Sequence, residues 1–267
     1  MNMEEQLCND KFIAAFQNYS KGNYKNSFKF FNNIVDKYPK TSRIFDAKYY
    51  LAMHYKNGNF VKKNDNKASD IFEQVAQSNS KYKNDANYHL AMHFFEKNGN
   101  KAFFLFNQVS QSNSKYKYDA KYILAKFYES GWGAEYYLNS YGTKKDLVKA
   151  FDIYFSLSLR KLRYQNNAKL WLVYCYENGN GVTKNKDKAL QLYLELLKSK
   201  EYRLKVCESL DSNDVTKNKD KALQLYLELL KSKEYRLKVC ESLANYYKDK
   251  DKDNKKSYKY RKMQFDI

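Results

Sequence analysis

Residues 182–210 and 215–243 carry the same 29-residue string, VTKNKDKALQLYLELLKSKEYRLKVCESL, displaced by 33 positions. A second pair, QVAQSNSKYKNDA at 74–86 and QVSQSNSKYKYDA at 108–120, is displaced by 34. Self-similarity at such a period constrains the fold strongly. One unit of this length cannot bury its own apolar face, so copies must stack on one another.

A looser motif recurs more widely. It reads AKYYLAMHYKNG at 47–58, ANYHLAMHFF from 86, AKYILAKFYESG at 120–131 and AKLWLVYCYENG at 168–179. Its apolar positions fall at 0, 4, 5 and 8, the stripe of one helix face. The alanines let a neighbouring helix approach closely, and the larger Leu and aromatic side chains fill the gaps. The terminal glycine suits a left-handed helix stop, and in the unit that opens at Ala86 this glycine is delayed to Gly99. A second motif follows each first one: Lys67-Ala68 with Phe72, Lys101-Ala102 with Phe106, Lys149-Ala150 with Tyr154, Lys188-Ala189 with Tyr193 and Lys221-Ala222 with Tyr226. Alanine and an aromatic four residues later share a face. Runs of about 12 residues are marginal alone in water, so each must pack on its neighbours.

Composition agrees. Pro39 is the single proline and there are eight glycines, while 43% of residues are apolar. Scarce breakers and turn formers favour helices joined by short loops over an all-β fold. The expected spans are 4–19, 24–37, 41–57, 65–77, 82–97, 100–110, 116–130, 146–160, 165–178, 186–198, 201–211, 219–231, 234–248 and 254–265. The predicted fold class is all-α: an α-α superhelix (solenoid) of about seven helix pairs running as one array over 1–267. Residues 132–145 (WGAEYYLNSYGTKK) are an inter-helix insertion, read as a local aromatic plug, and 248–267 a C-terminal capping helix with a polar outer face. In the first duplicated unit Asp211 and Asp214 stand where the second has Ala244 and Tyr247. The helix ending near Leu210 is therefore expected to stop about a turn early, since buried carboxylates are unfavourable.

On these motifs the chain resembles two related families. A-x-x-x-L-A-x-x-Y-x-x-G followed by K-A-x-x-x-Y/F is similar to the Sel-one-like repeat. GNYKNSFKFFNNIVDKYPKTSRIFDAKYYLAMHY, residues 22–55, resembles a tetratricopeptide repeat through Tyr24, Ser27, Phe31 and Pro39. The resemblance implies a right-handed superhelix that scaffolds protein complexes or holds peptides, with no cofactor and no enzymatic activity. By position in those families, the first helix of each pair lines the concave face. That assigns a peptide-binding groove to Tyr49, Met53, Lys56, Tyr88, Met92, Phe95, Tyr122, Lys126, Leu170 and Tyr174. Aromatic and Met side chains flanked by lysines suit an extended acidic or aromatic peptide.

Other chemistries find less support. His54, His89 and His93 are the three histidines. His89 and His93 share a helix face, and His54 matches His93 one unit earlier, an arrangement open to a divalent cation. Yet LAMHY and LAMHF are copies of one motif, and no HExxH occurs, so no metal is expected. The four cysteines form no CxxC pair and read as structural. No nucleophile elbow or Gly-rich phosphate cradle is present. The net charge is +19, with +4 over 1–60, +7 over 61–181 and +8 over 182–267. Lysine far outnumbers arginine, so this spread charge favours acidic protein or peptide partners over bidentate base readout. A nucleic-acid or anionic-surface binder using its Lys/Tyr-rich surface is the alternative, and steep salt dependence would mark it. The acidic N-terminus lacks the apolar run of a signal peptide, and no stretch reaches the ~20 apolar residues that span a bilayer. A cytoplasmic protein with reduced thiols is expected.

Overall fold

The computed structural model describes residues 3–131, 145–199, 201–203, 205–206, 227, 229–230, 239–240, 243 and 254–263. Among them every regular element is helical: α1 (Met3–Ser20), α2 (Tyr24–Lys37), α3 (Ile44–Asn57), α4 (Asp65–Ala76), α5 (Lys83–Phe94), α6 (Gly99–Gln111), α7 (Lys117–Ser130), α8 (Leu147–Ser158), α9 (Gln165–Asn178), α10 (Lys186–Leu196) and α11 (Asn254–Met263). The chain divides into two compact units, Met1–Ala150 and Phe151–Ile267. In the first, each helix from α1 to α7 packs on the one before it. In the second, α9 packs on α10.

The motif explains the packing. Ala47, Ala52, Ala86, Ala91, Ala120, Ala125 and Ala168 are fully buried. Their small side chains bring helix backbones together, and a Leu at any of them would overpack the seam by about 1–3 kcal/mol. The aromatic positions fill the remaining space. Phe31 stacks on Tyr50 at 5.0 Å, Phe12 meets both edge-on, and Phe72 lies 4.8 Å from the His89 ring. In the second unit Tyr154 lies 4.4 Å from Trp171, and Phe151 meets Tyr176 edge-on at 5.5 Å.

Helix ends follow from local chemistry. Gly58, Gly131 and Gly179 close α3, α7 and α9 with φ of 72°, 69° and 78°, the left-handed region where a Cβ is strained. Each second helix opens on an Asx residue three before its Lys-Ala pair. Asn64, Asn98 and Asn185 accept from the backbone N–H groups of Lys67, Lys101 and Lys188, and Asp146 accepts from that of Lys149.

The backbone N–H of these four caps also reaches one recurring carbonyl of the preceding helix. Asn64 donates to Tyr55, Asn98 to Phe94, Asp146 to Tyr128 and Asn185 to Tyr176, at 2.7–2.9 Å. All four acceptors sit at position 8 of the first motif. The joint is therefore the same whether four residues separate donor and acceptor, as at 94–98, or eighteen, as at 128–146.

The unit opened by Ala86 departs from the others in an instructive way. α5 ends at Phe94, and Gly99 is the first residue of α6 rather than a left-handed stop. With the connecting loop shortened, Asn98 takes its cap position directly and no glycine turn is needed. The expected early stop of the helix near Leu210 falls outside the described residues. So do residues 132–144 of the insertion and most of the second duplicated copy.

Candidate functional site

The first helices α3, α5 and α7 are held in register by a side-chain staple that motif matching did not reveal. Ser80 Oγ donates to Asp46 Oδ1 at 2.7 Å, and one repeat on, Ser114 Oγ donates to Asp85 Oδ1 at 2.6 Å. The same hydroxyls accept from the backbone N–H groups of Tyr82 and Tyr116. Those tyrosines then stack flat on the first helix behind: Tyr82 on Tyr49 at 4.5 Å and Tyr116 on Tyr88 at 4.2 Å. The copied string QSNSKYK thus encodes a loop that clips one repeat to the previous one. The signal was present in the sequence as an Asp immediately before the opening Ala of three units, at Asp46, Asp85 and Asp119; the unit that opens at Ala168 has Asn167 there.

This packing decides where the groove residues sit. Tyr49 is 1% exposed, sandwiched among Tyr82, Tyr50 and Phe72, so it forms a wall between α3 and α5 rather than open surface. Met53, Lys56, Tyr88, Phe95 and Tyr122 are half-buried, and Lys126 is exposed. Met92 is 44% exposed. Leu170, half-buried, and Tyr174, 49% exposed, belong to the second unit.

Two openings collect the first-unit residues. One, about 450 Å³, is lined by Phe95, Lys126, Phe127, Glu129 and Ser130. The other, about 320 Å³, lies among α3, α4 and α5; Lys56 and Met92 reach it, with Ala68 and Phe72 as apolar wall. His89 and His93 join them there, and His54 does not.

The histidine bonding fixes their protons. Lys56 Nζ lies 3.0 Å from His89 Nδ1, and an ammonium can only donate, so Nδ1 accepts and the proton sits on Nε2, 3.5 Å from the Tyr49 hydroxyl. Burial, with the Lys56 and Lys115 charges adding, pushes His89 down to about 3 from its ordinary 6.5. His54 holds the other tautomer. Its Nδ1–H donates to the Asn59 carbonyl at 2.8 Å, and Nε2 accepts from Ser27 Oγ at 3.1 Å. Burial lowers its pKa too. His93 pairs through Nε2 with Lys97 Nζ at 3.3 Å. The three rings therefore do not converge, and among the described residues no group of three or more His, Cys, Asp or Glu could hold a metal ion. Cys8, Cys175 and Cys240 are buried free thiols, and Cys8 Sγ lies 3.1 Å from Thr41 Oγ1. No helix among the described residues is long and apolar enough to cross a membrane.

Comparison with known proteins places this architecture. The Sel1 repeat model matches residues 45–80, 85–112, 119–156, 168–196 and 207–229, more than half of the chain. Among solved structures, a Sel1 repeat protein from Oxalobacter formigenes is similar at a TM-score of 0.59 and 19% identity, over 94% of this chain and 98% of that one. A protective antigen of uropathogenic Escherichia coli strains displaying an SLR fold is similar at a TM-score of 0.62 and 15% identity, over 97% of this chain and 53% of that one. No curated protein matches the sequence. The identities are low enough that the likeness speaks for the α-α solenoid fold alone. The first four matched repeats coincide with the helices from α3 to α10, the fifth falls almost wholly outside the described residues, and the chain belongs to the Sel1 repeat family, whose members generally serve as protein–protein interaction scaffolds.

Proposed function

We propose that this chain is a non-enzymatic scaffold that binds an acidic peptide or protein along the first helices of its repeats. The groove comprises Met53, Lys56, Tyr88, Met92, Phe95, Tyr122 and Lys126, with Tyr49 as its inner wall, and Leu170 and Tyr174 stand at the equivalent helix positions within the second unit. The observation that carries this reading is the mixture at one recurring face: aromatic and Met side chains left partly exposed beside lysines, in a chain of net charge +19. Apolar area supplies affinity, and the lysines supply selection and a faster encounter. It acts without a cofactor, in the cytoplasm, where the buried thiols of Cys8 and Cys175 stay reduced.

The test is fluorescence anisotropy with a labelled peptide of alternating Glu and Phe, its Gln counterpart and a single-stranded oligonucleotide. The Glu peptide is expected to bind more tightly than the Gln peptide, and Met92→Glu or Lys126→Glu to weaken it about tenfold, roughly 1.4 kcal/mol. Equal binding of the two peptides would remove the acidic partner. Tighter binding of the oligonucleotide, falling steeply with salt, would replace the reading with a nucleic-acid binder.

A further inference from the structure

We propose that the cavity among α3, α4 and α5 is an anchor pocket for a single carboxylate side chain of the partner, gripped by Lys56, Lys97 and the hydroxyl of Ser69. The inference rests on the scaffold reading and names the part of the groove that selects for acid.

Three observations carry it. The first is charge. Lys56 and Lys97 both line the cavity, and each ammonium bonds only to an imidazole nitrogen, of His89 and His93 respectively. Among the described residues neither makes an ion pair with a carboxylate. Asp65, the one acid on the lining, is already paired with Lys63 at 3.3 Å and stands at the exposed rim. Lys56 is half-buried and Lys97 is exposed; a half-buried ammonium with no carboxylate in contact is unfavourable, and an entering anion relieves that. Burial lowers the pKa of Lys56; Asp65 partly offsets this, and the Lys63 and Lys115 charges add to it.

The second is the hydroxyl. Ser69 lines the cavity, and its hydroxyl has no side-chain hydrogen-bond partner among the described residues. The hydroxyl can therefore turn toward an oxygen bound in the cavity. The third is the shape of the wall. Ala68, Phe72 and Met92 give the cavity an apolar side, which suits the methylene stem of a glutamate more than a bare inorganic ion. A volume of about 320 Å³ holds one such side chain.

Nuclear magnetic resonance of the histidine rings in the full chain tests this. The probes are glutarate, inorganic phosphate and uncharged glutaramide. Glutarate is expected to shift the His89 and His93 rings saturably in the millimolar range and leave His54, which lies outside the cavity, unmoved. Glutaramide should shift none of them. Lys56→Met and Lys97→Met should each weaken the glutarate response about tenfold, with unchanged His54 signals showing that the variants are folded. A response to phosphate alone would overturn the carboxylate assignment. No saturable shift with glutarate, or a shift that survives in the double variant, would overturn the pocket. If the Glu peptide still binds and Lys56→Met leaves its affinity intact, the pocket is wrong and the scaffold reading stands.

Discussion

Ser80 reaches back across one repeat to the buried carboxylate of Asp46, and Ser114 makes the identical bond to Asp85. Each bond links a loop to the start of the first helix in the unit behind, so it sets the spacing of the stack. Removing the donor strands part of a buried charge. Ser80→Ala is expected to lower unfolding free energy by about 1–3 kcal/mol, read from urea denaturation. In a double-mutant cycle with Asp46→Ala the two losses should be less than additive. Additive losses would mean that the bond does not form in solution.

Phe60 adopts a φ of 68°, the only non-glycine residue at positive φ among those described, and Gly181 holds 72° at the matching place after Gly179. An L side chain there is strained by about 1–2 kcal/mol. Against this, the Phe60 ring is half exposed and gains only a tilted contact with Phe28 at 5.8 Å. Phe60→Gly is expected to be at least as stable as the parent. Phe60→Ala keeps the strain and loses the contact, and should melt lower than both. Thermal denaturation of the three proteins gives the ranking.

Acid should weaken the first unit. His89 binds its proton with a pKa of about 3 in the folded chain, against 6.5 ordinarily, and His54 is shifted in the same direction. Below pH 6.5 the unfolded chain takes up protons that the folded chain refuses. The contribution is thus complete above that pH and is lost progressively as pH falls toward about 3. Within that window His89 adds a slope of up to about 1.4 kcal/mol per pH unit. His89→Gln cannot titrate, and it should flatten the fall between neutral and mildly acid pH when urea midpoints are compared across buffers.

The caps offer a local test. Asn64→Ala removes the side-chain acceptor for Lys67 N–H but leaves the backbone donor to Tyr55. The expected loss is about 1 kcal/mol. Hydrogen exchange should quicken at the first turn of α4 and not at its last.

Much of the fold was legible because alanines and aromatics repeat at helical spacing. The expected spans 24–37 and 165–178 agree with α2 and α9 end to end. Boundaries slipped where side chains compete with the helix. α3 begins at Ile44 rather than 41, because Thr41 Oγ1 bonds the Tyr38 carbonyl and the Ser42 backbone N–H bonds the Glu5 carboxylate. α5 stops short because Asn98 is needed as a cap. At the candidate site the motif picked out Lys56 and Met92 but could not reveal the cavity they share. That depends on Ser69 from α4 and on Lys56 meeting His89, 33 residues away, which only the relative placement of three helices decides. The same placement is why Tyr49, read as open surface, is shut inside.

The hydrogen bond from each cap to position 8 of the preceding helix gives this molecule a seam that tolerates patching. Because Asn98 and Asp146 close it across such different lengths of chain, new sequence can be spliced there without disturbing the helices on either side. An inserted epitope or recognition peptide would leave that bond to hold both helix ends, and successive repeats could each accept a different one.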